Sequence, residues 1–171
     1  GLNILKDGDP EREKSIYAIV APGTGLGQAF AHCLNGETYI LGSEGGHVDF
    51  SPRNTIEIQL LEYLQEKLAK RVSIERVACG PGLYNIYSFL KDTGKEVEET
   101  AVAEEIAKSD PSAVIGRYGL DRKSQICSKA VEIFVSALGS HVGDSVLTYL
   151  STGGVYLGGG IPPKLLQGWT R

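Results

Sequence analysis

A chain of 171 residues, 42% of them hydrophobic and 22% charged, is long enough to bury one core and short for two, so a single domain over 1–171 is expected. Its net charge of −4, with no cluster of Lys or Arg, argues against a nucleic-acid partner, and no apolar run approaches the ~20 residues of a membrane span. The three cysteines Cys33, Cys79 and Cys127 are odd in number, far apart and flanked by apolar residues, which reads as buried free thiols in a reducing, cytoplasmic setting.

Residues 1–14 carry the turn signal Asp-Gly-Asp-Pro and little periodicity, and read as a lead-in. Strands follow at 15–21 and 28–34, paired antiparallel through a glycine turn at 23–27. Asn35-Gly36, the strongest short hairpin signal, leads to a third strand at 37–41, so the first third is a β-meander. Asn54 with Glu57 resembles a capping box, and Ile56, Leu60, Leu61, Leu64 and Leu68 give a helix over 55–70. A short strand is expected at 73–79, then a helical face of Leu83, Ile86, Tyr87 and Leu90. The glutamates of 95–109 predict a solvated acidic helix.

Asp121 is a plausible N-cap for a long core helix running towards Leu150, in which Gly139 and Gly143 imply a close-packed neighbour. A strand at 152–157 ends in Gly158-Gly159-Gly160, and Pro162 or Pro163 suits the first turn of another helix. Strands followed by helices, with glycine loops at strand ends, predict an α/β fold. Methionine is absent, even at position 1, and the chain stops shortly after that last proline-led helix begins, so it reads as an internal piece of a longer protein.

Glycine is 22 of the 171 residues, against a usual ~7%, and the excess sits beside strand-like runs, as expected where backbone approaches a ligand. Gly23-Thr24-Gly25-Leu26-Gly27 lacks both the third glycine of a dinucleotide fingerprint and a Walker lysine. Its N–H groups and the Thr24 hydroxyl suit a phosphate; a plain tight hairpin is the competing reading. Glu44 and His47 stand on a glycine-rich loop without the second histidine of a zincin, so a polyol clamp fits better than a metal, against the alternative of a capped loop. His32 and His141 lie among apolar residues and read as structural. Gly158 to Gly160 before a helix offer a weaker anion site.

In order, these motifs resemble the bacterial-type glucokinase family along nearly the whole chain: Gly23 to Gly27 as a phosphate loop, Gly42-Ser43-Glu44-Gly45-Gly46-His47-Val48-Asp49-Phe50 as a sugar loop, Ser73 to Val77 with Gly80 to Leu83, and Gly153 to Gly160 on the adenosine side. The resemblance implies an RNase H-like actin/hexokinase-type α/β fold, of which 1–171 would be most of the larger, C-terminal domain. It implies ATP-dependent phosphorylation of glucose at O6, with Mg²⁺ held mainly through ATP. Glu44, His47 and Glu75 would bind glucose, and Gly23, Thr24, Gly25, Gly27, Gly158, Gly159 and Gly160 would bind ATP. Neither the family's Asn-Asp pair, which supplies the base, nor its Asp-Gly-Gly-Thr loop occurs, so no catalytic residue is expected within the chain and the fragment alone should be inactive. The alternatives are a non-catalytic sugar-binding module of the same fold, or a kinase for another sugar or an acyl substrate. The acidic helix with the Tyr84 to Tyr87 face is the candidate homodimer interface.

Overall fold

The computed structural model describes residues 3–8 and 15–169, so residues 1–2 and 9–14 of the lead-in lie outside the described residues. Four strands form one mixed sheet in the order β3-β2-β1-β4. β1 (Ile16–Pro22) and β2 (Leu26–Leu34) pair antiparallel from Ile16 opposite His32 to Pro22 opposite Leu26, which places Gly27 in the ladder, opposite Ala21, rather than in the turn. β3 (Glu37–Ser43) follows through Asn35 and Gly36, with φ of 54° and 83°, the left-handed pair that a two-residue hairpin needs. β4 (Gly154–Leu157) lies parallel to β1.

The helices are α1 (Thr55–Leu68), α2 (Gly80–Asp92), α3 (Thr100–Ile106), α4 (Pro111–Leu120), α5 (Gln125–Tyr149) and α6 (Pro162–Trp169). One core joins Val20 and Leu26 of the sheet to Leu60 and Leu64 of α1, Ile86 and Phe89 of α2, Ile115 of α4 and Phe134 of α5. By length and composition α5 could cross a membrane; here it is the core helix, its apolar stripe packed on α2, α4 and β1.

Several expectations change. Residues 73–79 form no strand but a 3-10 turn, Ile74–Arg76, because Ile74, Val77 and Ala78 are buried at helical spacing. The acidic segment is the short α3, and its glutamates staple rather than solvate: Tyr87 donates to Glu98 at 2.9 Å, Ser124 to Glu99 at 2.8 Å, and Arg117 pairs with Glu105. Residues 110–120, for which the pattern predicts no element, form α4, with Asp110 capping the Ser112 N–H at 3.1 Å and Pro111 opening the helix. Ser124, not Asp121, caps α5.

A methyl at Gly139 or Gly143 would meet nothing within 4 Å, so the expected close neighbour is not there. The tight helix crossing is instead at Gly119, where a Cβ would lie 2.6 Å from the Cys127 carbonyl. Ile86 and Tyr87 are buried while Tyr84 is exposed, so of the Tyr84 to Tyr87 stretch only Tyr84 offers an apolar side chain to the surface. All three thiols are free, but Cys33 is only half-buried, near the Thr38 hydroxyl. Burial pushes the Cys127 thiol up to about 11, so it stays protonated at neutral pH.

The α1 capping box holds in modified form. Asn54 Oδ1 accepts the Glu57 N–H at 3.0 Å, while the Glu57 carboxylate reaches back to the Arg53 N–H at 2.8 Å. Glu57 is 1% exposed and also accepts from the Ser136 hydroxyl at 2.9 Å and from the Arg53 guanidinium. Burial alone would raise its pKa; the Arg53 N–H, Ser136 and the guanidinium together outweigh burial and hold it below the usual carboxylate value. The stabilisation from Glu57 is therefore present above the unfolded pKa near 4.5 and is lost as pH falls through the lower folded value. Glu57→Gln should cost about 1–3 kcal/mol at neutral pH, with the two stability curves converging in acid. Urea unfolding as a function of pH checks this; a constant offset at every pH would contradict it.

Candidate active site

β1 and β2 meet through Gly23, Thr24 and Gly25. The Gly23 N–H turns inward to the Gly25 carbonyl at 2.8 Å, the Gly23 carbonyl accepts the Gly80 N–H at 2.8 Å, and the Leu26 N–H donates to Glu75 Oε2 at 3.0 Å. Among the described residues no hydrogen bond takes up the Thr24 or Gly25 amide or the Thr24 hydroxyl, so fewer donors are open here than the glycine count suggests.

The second glycine loop lies against the same strand end. Gly158 donates to the Val20 carbonyl at 2.9 Å, and Gly159, with φ of 78°, sits so close that a Cβ would lie 2.4 Å from the Pro22 carbonyl. A cleft of about 670 Å³ opens between the loops, lined by Gly23, Thr24, Gly80, Ser112, Gly160 and Lys164, with an apolar wall including Leu83 and Phe134. Gly158 and Gly159 support this cleft from behind rather than lining it. Ser112 and Lys164 escape the sequence reading, and Gly80 entered it only as part of a motif with no binding role; Asp110-Pro111, a cap followed by a first-turn proline, was the available signal for Ser112.

The stretch expected to be the sugar loop is a 3-10 turn, Gly45–His47, at the end of β3. A Cβ on Gly46 would lie 2.2 Å from the Leu26 carbonyl, so only glycine there lets the turn sit this low on β2, whereas one on Gly45 would lie 2.0 Å from Gln28 Oε1 and would have to displace that side chain. Residues 48–50 then run beside 72–74: Ile74 donates to the Val48 carbonyl at 2.9 Å and Phe50 to the Val72 carbonyl at 3.0 Å. That pairing brings Glu75 to the loop. His47 Nδ1 lies 4.0 Å from Glu75 Oε1, and His47 Nε2 lies 3.6 Å from Glu44 Oε2. Glu44 is 91% exposed, His47 56% and Glu75 22%, so the clamp is a surface with one anchored member.

Thr24 and Glu44 border different cavities, the second being a space of about 420 Å³ between the sugar loop and α5. Glu75 joins the glycine turn to the 44–47 loop: one carboxylate oxygen accepts from Leu26 beside Gly25, the other faces His47. His141, expected among apolar residues, borders the second cavity and hydrogen-bonds Gln28.

A sequence model described as glucokinase matches residues 3–171. The chain belongs to the glucokinase family. It is 38% identical to the glucokinase of Nostoc punctiforme over 96% of its own length and 52% of that protein, and 36% identical to the glucokinase of Synechocystis over 92% and 48%. The chain thus spans about half the length of the curated glucokinases it matches. Among solved structures it is similar to a glucokinase from an Antarctic psychrotroph (TM-score 0.75, 29% identity, 95% of this chain and 48% of that one). It is also similar to the glucokinase of Balamuthia mandrillaris in complex with glucose (TM-score 0.77, 25% identity, 91% and 42%). The α/β fold expected from the motifs is the glucokinase fold, present in part.

Proposed function

We propose that the complete protein transfers the γ-phosphoryl group of ATP to glucose O6, the reaction that delivers glucose to glycolysis, and that this half binds both substrates. The observation that carries the reading is the bridging Glu75, which puts the sugar clamp and the phosphate turn within one side chain of each other. Glu44 and Glu75 accept hydrogen bonds from sugar hydroxyls, and His47 between them donates or accepts. A site of this kind rejects an analogue that lacks a hydroxyl, because its polar groups are then left unpaired.

The cleft takes the nucleotide, with phosphates at Thr24 and Gly25 and the nucleoside towards Ser112 and Lys164. Mg²⁺ would be held mainly through the nucleotide's own phosphates. In the transfer, the O6–P bond forms as the bond to the ADP oxygen breaks, and the O6 proton goes to a base. No residue of this chain is assigned that role. The Balamuthia enzyme's complex with glucose supports the choice of sugar.

Coupled assay of the complete protein over glucose, amino sugars and acetate should give turnover with glucose and MgATP, and residues 1–171 alone should give none. Preference for acetate, or turnover by residues 1–171 above a Glu44→Ala control, would overturn the reading.

A further inference from the structure

We propose that Gln28 and His141 form a positioning pair that fixes the height and orientation of the sugar loop, and so sets sugar affinity rather than nucleotide affinity. The inference rests on the reading of Glu44 and His47 as sugar ligands. Neither Gln28 nor His141 touches the clamp's outer surface.

Gln28 belongs to β2, opposite Val20 and Ser43, and its carboxamide lies directly beneath Gly45. The approach is so close that a methyl on Gly45 would fall 2.0 Å from Oε1, 2.3 Å from Cδ and 2.7 Å from Nε2. The amide plane is therefore a platform on which the turn between Glu44 and His47 rests. A long, flexible side chain makes a poor platform unless something holds it, since an unrestrained glutamine keeps much of its rotamer freedom.

His141 supplies the hold. It is 6% exposed, on the buried face of α5, and its Nε2 lies 3.0 Å from Gln28 Oε1. With the carboxamide oxygen accepting, Nε2 carries the proton. A second tether at Gly45 is local: Ser43 Oγ accepts the Gly45 N–H at 3.0 Å. Ser43 thus fixes the loop to its own strand, whereas Gln28 and His141 fix it to the core helix. The cavity of about 420 Å³ beside the pair leaves the carboxamide room to swing away if His141 lets go.

The phosphate turn is held by the Gly80 N–H on the Gly23 carbonyl and by Glu75 on the Leu26 N–H; neither contact includes Gln28 or His141, and only Glu75 also faces the sugar loop, so nucleotide affinity should change far less. A sugar loop free to shift by an ångström loses affinity steeply, because its ligands must be within hydrogen-bond reach together.

In the complete protein, Gln28→Ala and His141→Leu should each raise the Kd for glucose about five- to thirtyfold, leave that for ATP within twofold, and speed amide exchange at residues 45–47. The double variant should lose no more than the worse single one, as for residues acting through one contact. His141→Gln, which can present an N–H near the Nε2 position, should restore most of the affinity. Unchanged glucose affinity with unchanged exchange at 45–47 in both single variants would overturn the pairing. Equal losses for glucose and ATP would do so too, since they would mark the pair as general core packing. Failure of the unaltered protein to bind glucose would overturn the sugar reading itself; exchange at 45–47 would still report on the pair.

Discussion

Replacing Glu75 by glutamine is expected to weaken glucose binding about tenfold to a hundredfold while leaving thermal stability almost unchanged. Glu75 is an acceptor at both oxygens, taking the Leu26 N–H at one and facing His47 at the other. Glutamine keeps the volume and one acceptor, so Leu26 stays satisfied and the new amide group turns towards His47 and the sugar. A hydrogen bond to a charged group contributes about 1.5–3 kcal/mol, and each 1.4 kcal/mol is a decade in affinity. Glu75→Ala should show the same loss and also unfold at lower temperature, because the N–H of the nearly buried Leu26 is left without its partner, at about 1–3 kcal/mol. Calorimetric titration with glucose and thermal melts of both variants separate the two effects. Glucose binding intact in Glu75→Ala would remove Glu75 from the site.

The second large effect is expected at Gly159. Alanine there meets the Pro22 carbonyl at 2.4 Å and must adopt a φ near 78°. The left-handed backbone costs about 1–2 kcal/mol and the overlap about 1–3 kcal/mol more. The relief available is to push the loop away from β1, which widens the cleft where Gly160 and Thr24 both sit. ATP affinity should drop more than tenfold in Gly159→Ala, read by fluorescent-nucleotide displacement. Gly158→Ala is the internal control: its Cβ would meet Ala21 Cβ at 3.6 Å, an ordinary contact, so binding and stability should barely move. Equal losses in the two variants would contradict the geometric account of this loop.

What the sequence made legible was local. Asn35-Gly36 specifies a hairpin by backbone conformation alone, and Asn54 with Glu57 specifies a helix start through hydrogen bonds four residues wide or less. The glycine loops at 23–27 and 42–46 were visible as clusters of one residue type, although close backbone approach demands glycine only at Gly46, and the order of the motifs carried the family resemblance. Other features needed long-range placement. Glu75 sits in a stretch whose apolar residues read as a strand, although Ile74, Val77 and Ala78 are buried at helical spacing around a 3-10 turn. Only the pairing of 48–50 with 72–74 aims its carboxylate at both the clamp and the phosphate turn. Gln28 and His141 meet across 113 residues, a contact no periodicity encodes. Gly139 and Gly143 suggested a tight crossing that in fact occurs at Gly119, because periodicity finds the buried stripe of a helix but not where its neighbour crosses it.

The most direct test is a crystal structure of the complete protein with glucose and a non-hydrolysable ATP analogue. The glucose hydroxyls should lie within ~3 Å of Glu44, His47 and Glu75, with the analogue's phosphates against Thr24 and Gly25 and its nucleoside beside Ser112 and Lys164. Sugar density beside His141 instead of over His47, or a nucleotide that leaves Thr24 untouched, would contradict the account.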